Sequence, residues 1–209
     1  MEGILNLAVL GIFIPTFFFV SITPGMCMTL ALTMGMSIGL RRTLWMMLGE
    51  LIGVGLVAGA SVLGVAAVLL QYPALFEVLR FGGGAYLAYV GVQMWRSKGR
   101  MALSASGVVQ DVAACELALQ GFVTAISNPK GWAFFVALLP PFIDPGYRMV
   151  PQLGVLLSII LLIEFSCLLM YAAGGKTLSR FLQRSSNIRL MNRVAGSLMV
   201  GVALWLAFG

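Results

Sequence analysis

The chain has 209 residues, of which 60% are hydrophobic and only 10% are charged, and its formal net charge is +6. A soluble domain is about 45–50% apolar with glycine included and about 25% charged, whereas this chain has 25 glycines besides its hydrophobic residues. Several uncharged stretches approach or exceed the roughly 20 residues needed to cross a bilayer. These values exclude a water-soluble enzyme and predict an all-α polytopic membrane protein.

The missing residue types narrow the chemistry further. The chain has no histidine, which excludes Ser–His and Cys–His catalysis, His-ligated haem and the commonest transition-metal sites. Cys27, Cys115 and Cys167 are isolated in apolar stretches without a CxxC pair, so neither a disulfide framework nor a thiol-exchange centre is expected. We expect no catalytic residues, no metal site and no cofactor.

In chain order, the first apolar stretch covers residues 3–23 and ends at Pro24-Gly25. It is predicted to be a retained helix, not a cleaved signal peptide, because no basic cluster precedes it and no small-residue cleavage pattern follows. A second uncharged stretch, residues 26–40, ends at Arg41-Arg42. The later apolar stretches are residues 43–70, 73–95, 112–143, 150–174 and 190–208.

Two of these runs do not fit a simple crossing. Residues 3–40 would form a helix of roughly 57 Å, which is too long for one straight crossing and tight for two. Residues 112–143 pose the same problem, and both runs are interrupted by proline. Each run is therefore predicted to be one crossing with a broken or re-entrant limb. This gives six crossings in a single domain, residues 1–209.

The basic residues predict the orientation. Ten of the 13 bases fall in alternate loops or their flanks, around residues 41–42, 96–100 and 176–193. The positive-inside rule places those loops in the cytoplasm and, with six crossings, both termini outside. We interpret these loops as topology signals and not as sites for lipid or nucleic acid.

The two halves of the chain resemble each other in outline. Pro24 and Pro129 are 105 residues apart, each in the first broken run of its half. Three crossings per half would turn the second copy upside down. The pattern predicts inverted repeats, residues 1–100 and 110–209, of the kind that many secondary transporters use.

The residues at the breaks indicate an anion site. Thr23-Pro24 and Asn128-Pro129 each have the form of an N-cap residue followed by proline at the first helical position. A helix that starts at a break presents free N–H groups and the positive end of its dipole. Thr23, Pro24, Gly25, Asn128, Pro129 and Lys130 are therefore the candidate binding residues. The alternative is an ordinary proline kink at each place.

Two acidic residues fall inside predicted crossings. Glu50 lies eight residues past Arg42, roughly 12 Å into the membrane as a helix, and Glu164 lies near the middle of residues 150–174. A charge at the bilayer centre costs at least about 2.5–3.5 kcal/mol. Each of the two residues therefore needs a partner, water or a function. The alternative to a function is a structural ion pair.

With these residues in view, the chain resembles the LysE/RhtB family of bacterial amino-acid exporters over essentially its full length. The segment NPKGWAFFVALLPPFIDP, residues 128–145, is similar to the family's Asn-Pro-Lys segment. The segment at residues 23–53 is similar to its Pro-Gly-Pro segment and the glycine-rich span that follows. Met26, Val54 and Pro141 depart from the common pattern.

The resemblance implies a secondary transporter in the bacterial inner membrane that exports a small amino acid or analogue, with protons as the expected coupling ion. In such a transporter Glu50 or Glu164 would bind the substrate ammonium, and either could carry the coupling proton. It leaves open which amino acid is carried and whether two copies form a homodimer. The alternative is an exporter of an inorganic ion or another small solute. A membrane enzyme and a purely structural factor are disfavoured, because the first lacks catalytic groups and the second needs no intramembrane carboxylates.

Overall fold

The computed structural model describes residues 7–71, 73–97, 112–139, 142–143, 146 and 148–208. Within these residues the fold is entirely helical. The helices are α1 (Leu7–Ile22), α2 (Met26–Ser37), α3 (Leu40–Gln71), α4 (Pro73–Arg96), α5 (Ala114–Ile126), α6 (Pro129–Leu138), α7 (Met149–Gln183) and α8 (Ser185–Phe208). The polar segment that includes Lys98 and Arg100 lies outside the described residues.

Two stretches of the described chain are long and apolar enough to cross a membrane alone, Leu40–Gly64 in α3 and Met149–Gly175 in α7. Leu10–Ile22 and Met26–Ser37 meet at an angle of 56° and qualify together as a third candidate, a broken span or a re-entrant loop. Apolar helices of this length identify a helical membrane protein.

The first break differs in detail from the prediction. α2 begins at Met26 after an N-cap at Gly25, which has extended backbone angles and no capping side chain. Thr23 does not cap the new helix, because its hydroxyl donates to the carbonyl of Phe19 at 2.7 Å, one turn back in α1. Pro24 lies between the helices and not at the first helical position of α2.

The second break has the predicted order of residues. α6 begins at Pro129, and the carbonyl of Asn128 accepts from the N–H groups of Gly131 at 3.0 Å and Trp132 at 3.4 Å. Asn128 therefore occupies the N-cap position, and proline occupies the first helical position, where its missing N–H is not needed.

Aromatic donors satisfy carbonyls at the helix ends that precede both breaks. The Tyr171 hydroxyl donates to the Ile22 carbonyl at 2.7 Å, and the Trp132 indole donates to the Ile126 carbonyl at 2.9 Å. The last carbonyls of a helix have no partner within it and need one when buried. Each of these two helix ends is thus held by a hydrogen bond from an aromatic side chain.

Small residues allow the closest helix contacts. On α3, a Cβ at Gly49 would collide with the backbone of Ala118 on α5, and one at Gly53 would lie 2.7 Å from the Ala125 Cβ. From the other side, a Cβ at Gly121 would collide with the Met46 carbonyl. The glycine-rich face of α3 is therefore in backbone contact with α5.

Helix α7 contains a break of its own. Gly175 has φ 47° and ψ −136°, values outside the helical region. Because φ is positive, a side chain at this position would strain the backbone. The predicted span, residues 150–174, thus ends where the backbone leaves the helical conformation, and a further helical stretch continues to Gln183.

The buried apolar residues form two separate clusters. The phenylalanine-rich cluster includes Phe13, Phe17, Val54, Val57, Phe134, Phe135, Phe142, Leu156 and Ile160. The methionine-rich cluster includes Cys27, Met28, Met34, Met46, Met47, Leu117, Cys167, Leu168 and Tyr171. Both clusters draw on α3, α5 and α7, so each of these helices passes from one cluster into the other.

Candidate functional site

The two intramembrane carboxylates, Glu50 and Glu164, lie at the boundary between the two hydrophobic clusters. On α3, Glu50 lies after Met46 and Met47 of the methionine-rich cluster and before Val54 of the phenylalanine-rich cluster. On α7 the order is reversed, with Ile160 before Glu164 and Cys167 after it. Both carboxylates therefore lie at the same level of the fold, on helices that traverse it in opposite directions.

Glu50 is the more isolated carboxylate. Its side chain is 0% exposed, and neither of its oxygens has a hydrogen-bond partner in the described part of the chain. Cys27 and Glu164 are near enough to interact with it electrostatically. Because a buried charge without a donor is costly, this position requires a proton or a bound cation.

Glu164 has a defined donor. The Ser21 hydroxyl donates to its Oε2 at 2.6 Å, and both side chains are 9% exposed. Ser21 lies one residue before the end of α1, so this bond joins the first break to the middle of α7. Sequence reasoning missed Ser21, because its partner is 143 residues away.

Both carboxylates and both breaks line one cavity of about 60 Å³. This volume exceeds the roughly 10–15 Å³ that a cavity needs to hold one water molecule. The polar part of its lining consists of Ser21, Thr23, Gly25, Cys27, Glu50, Asn128 and Glu164. The apolar part includes Phe17, Val20, Val54, Val57, Phe134 and Phe135.

The structure brings most of the predicted site residues together. Thr23, Gly25, Glu50, Asn128 and Glu164 line the cavity. Pro24 separates α1 from α2, and Pro129 begins α6. The side chains of Pro129 and Lys130 lie outside the described part of the structure, so the predicted role of the lysine stays a prediction.

Cys27 and the phenylalanines are cavity residues that the sequence did not identify. The side-chain amide of Asn128 donates to the Cys27 sulfur at 3.7 Å, which connects the second break to the first turn of α2. These two residues are 101 positions apart. A lone cysteine in an apolar stretch carries no signal of such a contact.

The cavity contains both signs of charge or partial charge. α2 and α6 begin beside it, and the first N–H groups of a helix carry the positive end of its dipole. Glu50 and Glu164 supply negative charge in the same space. This pairing suits a small zwitterion. Among the described residues, no group of three or more Cys, Asp or Glu side chains is placed to hold a metal ion.

The chain is similar to proteins with known names. Residues 18–209 match the family model described as LysE type translocator. The chain is 25% identical to a homoserine/homoserine lactone efflux protein of Salmonella typhimurium, over 90% of each chain. It is 27% identical to a leucine efflux protein of an Enterobacter species, over 91% of this chain and 90% of the relative.

A third relative, a threonine efflux protein of Salmonella typhi, is 28% identical over 70% of this chain and 67% of its own. No solved structure matches the chain. The family model covers nearly the whole sequence, including both helix breaks and both intramembrane carboxylates. The chain is therefore a multi-pass membrane protein that belongs to the LysE type translocator family.

Proposed function

We propose that the protein exports a small amino acid or a close analogue across the bacterial inner membrane, driven by protons. One observation carries the proposal: two helix starts and two intramembrane carboxylates line the same buried cavity. The names of its relatives as homoserine, leucine and threonine efflux proteins support the same class of substrate. The protein acts as a transporter and not as an enzyme.

In this proposal the cavity binds the two charged groups that every amino acid shares. The carboxylate lies between the helix start at Gly25 and the helix start at Asn128, where the positive ends of the two helix dipoles attract an anion. Lys130, next to the second break in sequence, adds positive charge to that end. The ammonium group binds Glu50, which has no other hydrogen-bond partner in the described chain.

Coupling follows from competition for one carboxylate. A buried Glu50 is stable when it holds a proton or faces a cation, but not when it is charged and alone. A proton entering from outside displaces the substrate ammonium, and a substrate entering from the cytoplasm displaces the proton. Glu164 is the second candidate proton carrier, and its hydrogen bond with Ser21 is broken or formed with the change of charge.

We further propose six crossings built as two inverted repeats, with α1–α2 and α5–α6 as the broken crossing of each half. The helix contacts support this correspondence. α3 packs against α5 and α6, and α7 packs against α1 and α2, as the exchange of halves requires. α4 packs against α8, its counterpart in the second half. The basic loops would then face the cytoplasm and both termini the periplasm.

Transport by the purified full-length protein in vesicles tests the function. The assay imposes a pH gradient and offers a panel of amino acids and inorganic ions. We expect proton-driven movement of small amino acids and no movement of the ions. Glu50→Gln keeps the shape of the side chain and removes its charge, so it should abolish gradient-driven export while the protein still inserts. Glu116→Gln, an exposed acid on α5, is the matched control.

Two results would contradict the proposal. Movement of an ion alone would favour the other candidate, an ion exporter. Normal export with normal pH dependence in Glu50→Gln would remove this residue from binding and coupling.

A further inference from the structure

We propose that the transported amino acid has a small, uncharged aliphatic side chain, held by the phenylalanines at one end of the cavity. This inference rests on the proposed function and adds the class of substrate. It uses the distribution of polar and apolar residues along the cavity, which neither the family nor the names of the relatives define.

The cavity changes from polar to apolar along three helices. On α1 the lining passes from Ser21 to Phe17, and on α3 it passes from Glu50 to Val57. On the second broken pair it passes from Asn128 at the break to Phe135 in α6. Seven residues of helix span about 10 Å, so the apolar end lies about one amino-acid length from the charged groups.

The apolar end is a packed wall of aromatic rings. The centroid of the Phe17 ring lies 5.6 Å from that of Phe134 and 6.0 Å from that of Phe135. All three side chains are at most 5% exposed and belong to the phenylalanine-rich cluster. The other lining residues at this end are Val20, Val54 and Val57.

A charged side chain would be poorly held by this wall. The described residues that line it offer no polar side chain to replace water, so a charge moved there loses hydration without a partner. Both lining carboxylates lie at the polar end, where the proposed function assigns them to the ammonium group and the coupling proton. A substrate bound by its charged groups at that end therefore places its side chain against the rings.

The size of the cavity sets an upper limit. The cavity of about 60 Å³ is small, since pockets that hold drug-sized ligands measure about 300–1,000 Å³. Each excess methylene in a closed hydrophobic pocket changes selectivity by about 10- to 200-fold. We expect preference for alanine, 2-aminobutyrate and valine over lysine, glutamate and phenylalanine.

The test is uptake by counterflow into vesicles containing the full-length protein, with these six amino acids as labelled substrates. Phe134→Ala enlarges the apolar end and should improve transport of phenylalanine relative to alanine by at least about tenfold. Phe134→Leu removes less volume and should give a smaller shift in the same direction, which covers the case in which the alanine variant does not insert. Phe142→Ala is the control, because Phe142 does not line the cavity. Its ring packs on that of Phe13, with the two ring centroids 4.9 Å apart.

The outcomes separate this inference from the proposed function. If the wild type preferred lysine or glutamate while proton-driven transport was intact, the inference of an uncharged aliphatic side chain would be wrong. The proposed function would still hold. An equal shift in Phe142→Ala would overturn the assignment of the wall to Phe134. Failure to transport any of the six amino acids under a pH gradient would overturn the proposed function and this inference together.

Discussion

Gly91 and Gly196 lie in direct backbone contact where α4 crosses α8. A Cβ on Gly91 would lie 2.7 Å from the Gly196 carbonyl oxygen, and one on Gly196 would collide with the carbonyl of Gly91. The two glycines are 105 residues apart, the same interval that separates Pro24 from Pro129. A residue that contacts its own counterpart lies on the axis relating two copies, so this pair supports the proposed inverted repeat.

We predict that Gly91→Ala destabilises the protein, because the added methyl group has no space between α4 and α8. Overpacking of this kind costs about 1–3 kcal/mol, and the thermal midpoint in detergent should fall by several degrees. Gly82 on α4 and Gly201 on α8 have open space where a Cβ would lie, so Gly82→Ala and Gly201→Ala are the controls. These controls should be neutral or slightly stabilising, since alanine favours helix. Equal midpoints in all three variants would contradict the close contact.

Cys27 provides a reporter of the cavity. It lines the cavity as a buried member of the methionine-rich cluster, whereas Cys115 is exposed and Cys167 belongs to the same cluster without lining the cavity. With Cys115→Ser and Cys167→Ser in place, a small cationic thiol reagent should modify Cys27, and a transported amino acid should slow that reaction. The measured quantity is the modification rate at rising substrate concentration. An unchanged rate under saturating substrate would mean that the substrate binds elsewhere.

The orientation can be tested by labelling. Six crossings and the basic loops predict that cysteines at position 98 and at Ser186 face the cytoplasm, while one at Arg148 and one at the C-terminus face outward. An impermeant thiol reagent added to intact cells should therefore label only the latter pair, in a variant without native cysteines. Labelling of position 98 from outside would refute the six-crossing topology.

Local chemistry explains what could be predicted from sequence. A proline lacks a donor wherever the chain folds, so the positions where α1 ends and α6 begins could be anticipated, although Pro15 lies inside α1 without ending it. An acid in a crossing is costly in any packing, so Glu50 and Glu164 could be selected. Thr23 was misassigned as a cap because its hydroxyl had two local options. Bonding back to Phe19 prevails here since α1 is intact up to Ile22.

The features that could not be predicted from the sequence depend on tertiary contacts. The Ser21–Glu164 hydrogen bond joins residues 143 positions apart, and the Asn128–Cys27 contact joins residues 101 apart. The phenylalanines of α6 would serve equally well as lipid-facing residues in a single sequence. Only the packing of α6 against Phe17 turns them into a cavity wall.

The second break gives the last prediction. The Asn128 N–H donates to the Ala125 carbonyl at 3.2 Å, a tight turn that ends α5 before proline begins α6. Pro129→Ala restores the missing N–H, which permits a continuous helix from α5 into α6 and so removes the helix start and its positive dipole end from the cavity. A lost charge-assisted hydrogen bond is worth roughly 1.5–3 kcal/mol, or about ten- to a hundred-fold in affinity.

We therefore expect Pro129→Ala to weaken amino-acid binding by that factor without unfolding the protein, as measured by calorimetry in detergent. An analogue whose carboxylate is esterified should bind the wild type poorly. Its affinity should be nearly the same for the wild type and for Pro129→Ala. The ester matters because it keeps the ammonium group that Glu50 binds and removes only the charge that the helix start attracts. If the ester loses as much affinity as the free acid, the break has a structural role and the carboxylate binds elsewhere.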